Sequence, residues 1–273
     1  VSQEEEQRPT PAWRVFATYL AAVVAMLVTT GVAIELLRAT YPDVPETALA
    51  RTLPGLLAGA LATSSGLLLT LLLVVRPLDT VRLRLVPGWE TGVTLAVMAL
   101  GLLGLGQALD SFTALLGLGD RGSLVMIRRV LEQTRGPDLF AAVVVLGVGA
   151  GVAEEIFFRG YMQSRLRERW SPRMAVLASS VAFAVLHLDV SAVHTVLALA
   201  LGLYLGFVAE LSGSTLPSIV CHVVNNIVYV LQTALGFAVL SRDANVVAAV
   251  AGTAIFVGSV VWLCRTAPRP TPA

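Results

Sequence analysis

The chain has 273 residues, of which 56% are hydrophobic and only 14% charged, with a net charge of +1 and a mean hydropathy of +0.79. Soluble domains carry about 25% charged residues and keep much of their surface in water. This balance excludes a soluble enzyme, a disordered chain and a disulfide scaffold, and nothing in it points to nucleic acid as a partner. An all-α, polytopic transmembrane bundle remains, because the helix satisfies its own backbone in lipid. All 19 basic residues are arginine. With so much Ala, Val, Leu and Gly, that bias suggests a GC-rich bacterial source and an inner-membrane location.

Residues 1–12 form a polar tail carrying Glu4, Glu5 and Glu6. It lacks the basic start and cleavage site of a signal peptide, so the first apolar run is expected to be retained. A span needs about 20 apolar residues to cross a hydrocarbon core of roughly 30 Å. By that measure spans are expected at 13–37, at 53–75 (closed by Arg76-Pro77) and at 92–116. In 123–135, Leu124, Ile127 and Leu131 recur at helical spacing while Arg128, Arg129, Glu132 and Arg135 lie elsewhere on the wheel. This predicts a helix lying in the interface, or a solvated loop helix.

The fourth run carries no proline or turn signal from about Asp138 to Trp170 and reads as one long helix. A short fifth run follows at 174–188, then runs at 190–211, 216–237 and 246–264. The total is about eight spans, and the turn between the fifth and sixth must be tight or partly sunken. Residues 13–136 read as N-terminal spans and interfacial helix, 137–264 as the transmembrane core, and 265–273 as a disordered proline-rich tail. Cys221 and Cys264 both lie in apolar runs, against a disulfide. Alternating eight spans puts 12 of the 19 arginines on the side of both termini, which is therefore expected to be cytoplasmic.

Ionisable residues inside a span cost about 2.5–3.5 kcal/mol each on insertion scales and tend to be functional. Glu155 and Arg159 are four apart and share a helix face. Glu154 lies about 100° around, free to work as a base beside that pair. Phe183 is one turn from His187, and His222 shares a face with Asn226. At 1.5 Å per residue these groups fall at similar depths, in the half nearer the terminal side. Such a set can activate water and stabilise an oxyanion. Two His and one Glu (Glu154, His187 and His222) are also the ligand set of several zinc hydrolases.

These residues resemble the CPBP family of intramembrane proteases, which includes the type II CAAX prenyl endopeptidases. The family signature is Glu-Glu-x-x-x-Arg, Phe-x-x-x-His and His-x-x-x-Asn or Asp. Here it reads Glu154-Glu155-Ile-Phe-Phe-Arg159, Phe183-Ala-Val-Leu-His187 and His222-Val-Val-Asn-Asn226. The three motifs occur in order, each in an apolar run, over about 139–230. The resemblance implies hydrolysis of a peptide bond in a membrane-tethered peptide or protein, either CAAX-type or bacterial peptide processing. It implies that Glu154 and His187 activate the water, that His222 and Asn226 stabilise the oxyanion, and that Glu155, Arg159 and Phe183 help hold the site. Both zinc-dependent and metal-free schemes exist for the family, so the cofactor is left open. A bacteriocin-immunity or scaffold protein without turnover is the alternative.

Other polar positions draw structural readings. His194 matches no motif, and Asn225 lies on a different face from Asn226. Gln107 and Asp110 mark a helix end rather than a cavity wall. Gly202 and Gly206 predict a close helix contact. A Cys221–His222 dyad is disfavoured, because adjacent helix residues point apart. Arg165, Arg167, Arg169 and Arg173 anchor the topology or meet anionic headgroups.

Overall fold

The computed structural model describes residues 9–75, 78–119 and 121–268. Arg76-Pro77, most of the N-terminal tail and the last five residues lie outside that range. The expected stop after the second span, the disorder of the tail, and Arg8, Arg76 and Arg269 in the charge count are therefore outside it too. Among the described residues the regular structure is helical, with no strand.

We number the helices α1 (Ala12–Thr40), α2 (Glu46–Leu49), α3 (Leu53–Val74), α4 (Gly92–Leu115) and α5 (Ser123–Leu131). Then come α6 (Gly136–Arg167), α7 (Pro172–Val185), α8 (Val193–Ser212), α9 (Leu216–Ala234) and α10 (Arg242–Thr266). Of these, α1, α3, α4, α6, α8, α9 and α10 are long and apolar enough to cross a bilayer, making 7 where eight were expected. The difference is α7, which has 14 residues and so runs about 21 Å. It ends at Val185, and the chain turns through 186–192 before α8. The expected fifth span is thus an apolar helix too short to cross a core of about 30 Å alone.

Large apolar side chains face outward along the long helices. On α1, Leu20, Val24, Leu27, Val28 and Leu36 are exposed while Val15, Thr18 and Ala22 are buried. A soluble protein would not tolerate such a surface; lipid covers it at no cost. The chain is an integral membrane protein.

Small residues bring helices together. A Cβ on Gly66 of α3 would lie 2.7 Å from the Met26 backbone of α1, and Thr29 Oγ1 donates to Ala62 O at 2.7 Å across the same seam. A Cβ on Gly252 of α10 would lie 2.6 Å from Gly104 O of α4. The central helix α6 is continuous, as expected, but contains two π-helical segments, Val143–Gly149 and Ile156–Gln163. The six residues between them, Ala150–Glu155, are α-helical and carry both glutamates. π-Segments widen a helix locally and recur at functional sites.

Contacts at the two ends of the bundle show which connections lie together. At one end, Thr10 N donates to Glu168, Arg167 Nε meets Glu210 at 2.8 Å, and Thr215 N donates to Arg84 O at 2.8 Å. At the other, Ser123 N donates to Asp189 Oδ2 at 2.9 Å. The segments before α1, after α6 and between α8 and α9 share the first end, so the short α7 runs from that end toward the other without the length to cross a core of about 30 Å alone. The amphipathic helix α5 turns its apolar stripe to the bundle: Leu131 is fully buried, with Ile127 packed alongside against Ala142 and Val230. The pattern that suggested lipid or solvent contact is the same one that packing on protein needs.

Candidate active site

Three helices bring the motif residues together. Glu155 and Arg159 are buried on one face of α6, Nη1 to Oε1 at 2.8 Å. Arg159 Nη2 donates to Gly202 O of α8 at 2.9 Å, and its guanidinium stacks on Phe183 of α7, 4.9 Å from the ring centroid. One turn on, Gln163 Nε2 donates to Gly206 O at 3.0 Å. The expected close contact of Gly202 and Gly206 is therefore real. A side chain at Gly202 would sit 3.2 Å from Phe183 and 3.4 Å from Arg159 Nη2. The bare backbone is what lets α8 carbonyls reach buried polar groups of α6.

His222 of α9 lies between the two glutamates. Its Nδ1 is 2.8 Å from Glu155 Oε1 and its Nε2 is 3.7 Å from Glu154 Oε2. A carboxylate accepts, so Nδ1 donates and Nε2 turns toward Glu154. Glu155 thus does more than neutralise Arg159: it also fixes the orientation of an imidazole, a link the sequence reading did not contain. Glu154 keeps partial exposure, 19% against 0% for Glu155. The division between an enclosed pair and an available carboxylate holds.

His187 lies just past the end of α7. Its Nδ1 is 2.9 Å from Phe183 O, and a carbonyl can only accept. Nδ1 therefore carries a proton, and in the neutral ring the lone pair is on Nε2. Phe183 separates the two histidines, with its ring centroid 4.6 Å from His187 and 6.0 Å from His222. Asn226 Nδ2 donates to Leu146 O at 3.2 Å, inside the first π-segment of α6. One amide N–H remains available to the cavity.

Glu154, His187, His222 and Asn226 line one cavity of about 570 Å³. Its walls are largely apolar, including Leu102, Leu201, Leu205 and Ile255. It extends to Leu118, Arg121, Phe237 and Leu240, at the end of the bundle where Ser123 meets Asp189. Gln107, Asp110, Asn225 and His194 also line it. α4 continues past Gln107 and Asp110 to Leu115, so these two residues are cavity wall rather than a helix end. Polar residues one turn apart near the end of an apolar helix were the available signal. His194 had no motif to reveal it.

Glu154, His187 and His222 are the side chains expected as a zinc set. Among the described residues no three His, Cys, Asp or Glu side chains are grouped to hold a metal ion. His222 gives Nδ1 to Glu155 and His187 gives Nδ1 to a carbonyl, so each keeps Nε2, the nitrogen a metal ligand would use.

Residues 136–228 match the family of Rce1-like proteins, described as type II CAAX prenyl endopeptidases. The match takes in Glu154 to Arg159, Phe183 to His187 and His222 to Asn226, so the three motifs and the matched family agree. This part of the chain is similar to an Rce1-like domain, and the match supports intramembrane CAAX protease activity in general. The curated proteins and the solved structures returned no match.

Proposed function

We propose that the protein is an intramembrane endopeptidase in which Glu154 and His187 activate a water against a peptide bond held in the cavity. The observation that carries this reading is the partition of two adjacent carboxylates. Glu155 is enclosed by Arg159 and His222, while Glu154 faces the cavity with no arginine bonded to it among the described residues. A base must be reachable by water; a scaffold pair need not be.

In this reading the water oxygen attacks the scissile carbonyl carbon, and its proton passes to Glu154. His187, with Nε2 unprotonated, accepts from the same water or orients it. The tetrahedral oxyanion is met by the free amide N–H of Asn226 and by His222 Nε2, which donates when the ring carries a proton on both nitrogens, Nδ1 being held by Glu155. Glu154, now protonated, gives its proton to the leaving nitrogen as the carbon–nitrogen bond breaks. Hydrogen bonds of this kind are often long in the free enzyme and tighten in the complex; the 3.7 Å between Glu154 and His222 is of that order. No step runs through a metal.

The apolar walls favour a substrate segment with apolar residues around the scissile bond. A volume of about 570 Å³ is within the roughly 300–1,000 Å³ typical of ligand sites. The substrate is a membrane-tethered peptide or protein, in a bacterial inner membrane with both termini of the enzyme cytoplasmic. The test is cleavage of a membrane-tethered peptide library by reconstituted protein, with and without chelator. Defined products formed equally in both arms, and lost in His187→Gln, are expected. Cleavage that survives His187→Gln would remove His187 from the reaction; cleavage that fails with chelator would restore a metal.

A further inference from the structure

α7 ends at Val185, two residues before His187. The helix ladder therefore does not by itself hold the imidazole that the proposed reaction needs. His187 N still donates to Ala184 O at 3.0 Å and its Nδ1 to Phe183 O, and the turn beyond is held by a cluster outside the three motifs. Thr195 Oγ1 donates to His187 O at 3.0 Å. The His194 ring packs edge-on against the His187 ring, with centroids 4.9 Å apart. His194 Nδ1 is in turn 2.9 Å from Ser123 Oγ, at the start of α5.

The remaining members tie the loop down. Asp189 accepts from Ser123 N at 2.9 Å and from Ser123 Oγ at 3.3 Å, and Ser191 Oγ is 3.0 Å from Asp189 Oδ1. Ser191 Oγ accepts from Val193 N at 3.2 Å, which closes the start of α8. Gly122 has φ +81, and a Cβ there would fall 2.2 Å from Asp189 Oδ2 and 2.3 Å from Ser191 Oγ. Only glycine permits both the backbone shape and the approach. Helix α5, so fastened, supplies Leu124, Ile127 and Arg128 to the same cavity wall.

We infer that Ser123, Asp189 and His194 are positioning residues: they fasten α5 to the turn after α7 and thereby hold His187 at working distance from the cavity. This rests on the proposed peptidase reading for its consequence, but the fastening itself does not. A general base must be held close to its productive geometry, and a displacement of about 1 Å can cost on the order of 10²-fold in rate. Breaking the cluster frees the turn without touching a residue that meets substrate in the proposed reaction.

The experiment uses the full chain, reconstituted, with Ser123→Ala, Asp189→Asn and the hydroxyl-retaining Ser123→Thr. Backbone exchange over 186–195 and the separate kcat and KM for a cleaved tethered peptide are measured. Faster exchange and a kcat lowered about 10–100-fold, with KM nearly unchanged, are expected for Ser123→Ala and Asp189→Asn. Ser123→Thr is expected to restore both. Unaltered exchange in the two disruptive variants overturns the fastening. Faster exchange with unaltered kcat overturns the positioning of His187. If wild type cleaves nothing, the peptidase reading fails, and exchange alone still decides whether the cluster fastens the turn.

Discussion

The buried polar network is where single residues matter most. Arg159 is enclosed by Glu155, Gly202 O and the Phe183 ring. Removing one partner of such a pair leaves an uncompensated buried charge and typically costs about 3–5 kcal/mol. Arg159→Ala is therefore expected to lower the thermal midpoint sharply, whereas Glu154→Gln, at a partly exposed position, should melt like wild type. Comparing the two melting curves in detergent separates the structural carboxylate's partner from the working carboxylate. Glu168 presents a milder case. Burial raises its carboxyl, but the N–H of Thr10 and Arg165 outweigh this and hold it below the usual 4.5. A depressed pKa contributes stability above about 4.5 that is lost as pH falls through the folded value. The difference in stability between wild type and Glu168→Gln, of the order of 0.5 kcal/mol, should be present at pH 7 and shrink as the pH falls below 4.5.

At the scale of helices, close packing through glycine sets the frame of the cavity. A Cβ on Gly252 would meet Gly104 O at 2.6 Å and Ala108 N at 2.9 Å, both backbone atoms. The α4–α10 seam cannot yield by rotating a side chain, so Gly252→Ala should cost about 1–3 kcal/mol, read as a lower midpoint. Gly258→Ala, with nothing within 4 Å, is the matched control and should leave the midpoint in place. Much at this scale was legible in the sequence. The long helices follow the apolar runs within a few residues, and the uninterrupted stretch expected as one helix from 138 to 170 is one helix over Gly136–Arg167. The exception is α7, because an apolar run shows that a segment avoids water but not how far its helix continues. The π-segments left no mark either. They leave the apolar pattern intact and change only which backbone groups pair, which is how Leu146 O comes to meet Asn226. The motif residues could be read because ionisable groups in lipid are conspicuous. The Ser123–Asp189–His194 cluster could not, because it joins loops far apart in sequence through ordinary polar residues.

The whole molecule has two unlike ends. One gathers Thr10, Arg84, Arg167, Glu168 and Glu210 in ion pairs and hydrogen bonds; the other carries α5, the turn at 186–192 and the reach of the cavity toward Arg121 and Leu240. With 12 arginines assigned to the first side, that side is expected to face the cytoplasm. A membrane-impermeant thiol reagent applied to intact cells should then label a cysteine placed at Leu118 and spare one placed at Arg84, in a background without Cys221 and Cys264. The reverse pattern would invert the orientation while leaving the fold as described.

Hydrolysis by the cavity-facing glutamate is the claim on which the functional reading turns. Its most direct measurement is mass-spectrometric detection of cleaved membrane-tethered peptides in liposomes carrying equal amounts of folded wild-type or Glu154→Gln protein. Defined cleavage by wild type and its loss in Glu154→Gln is the result expected. Equal cleavage by both proteins would contradict it.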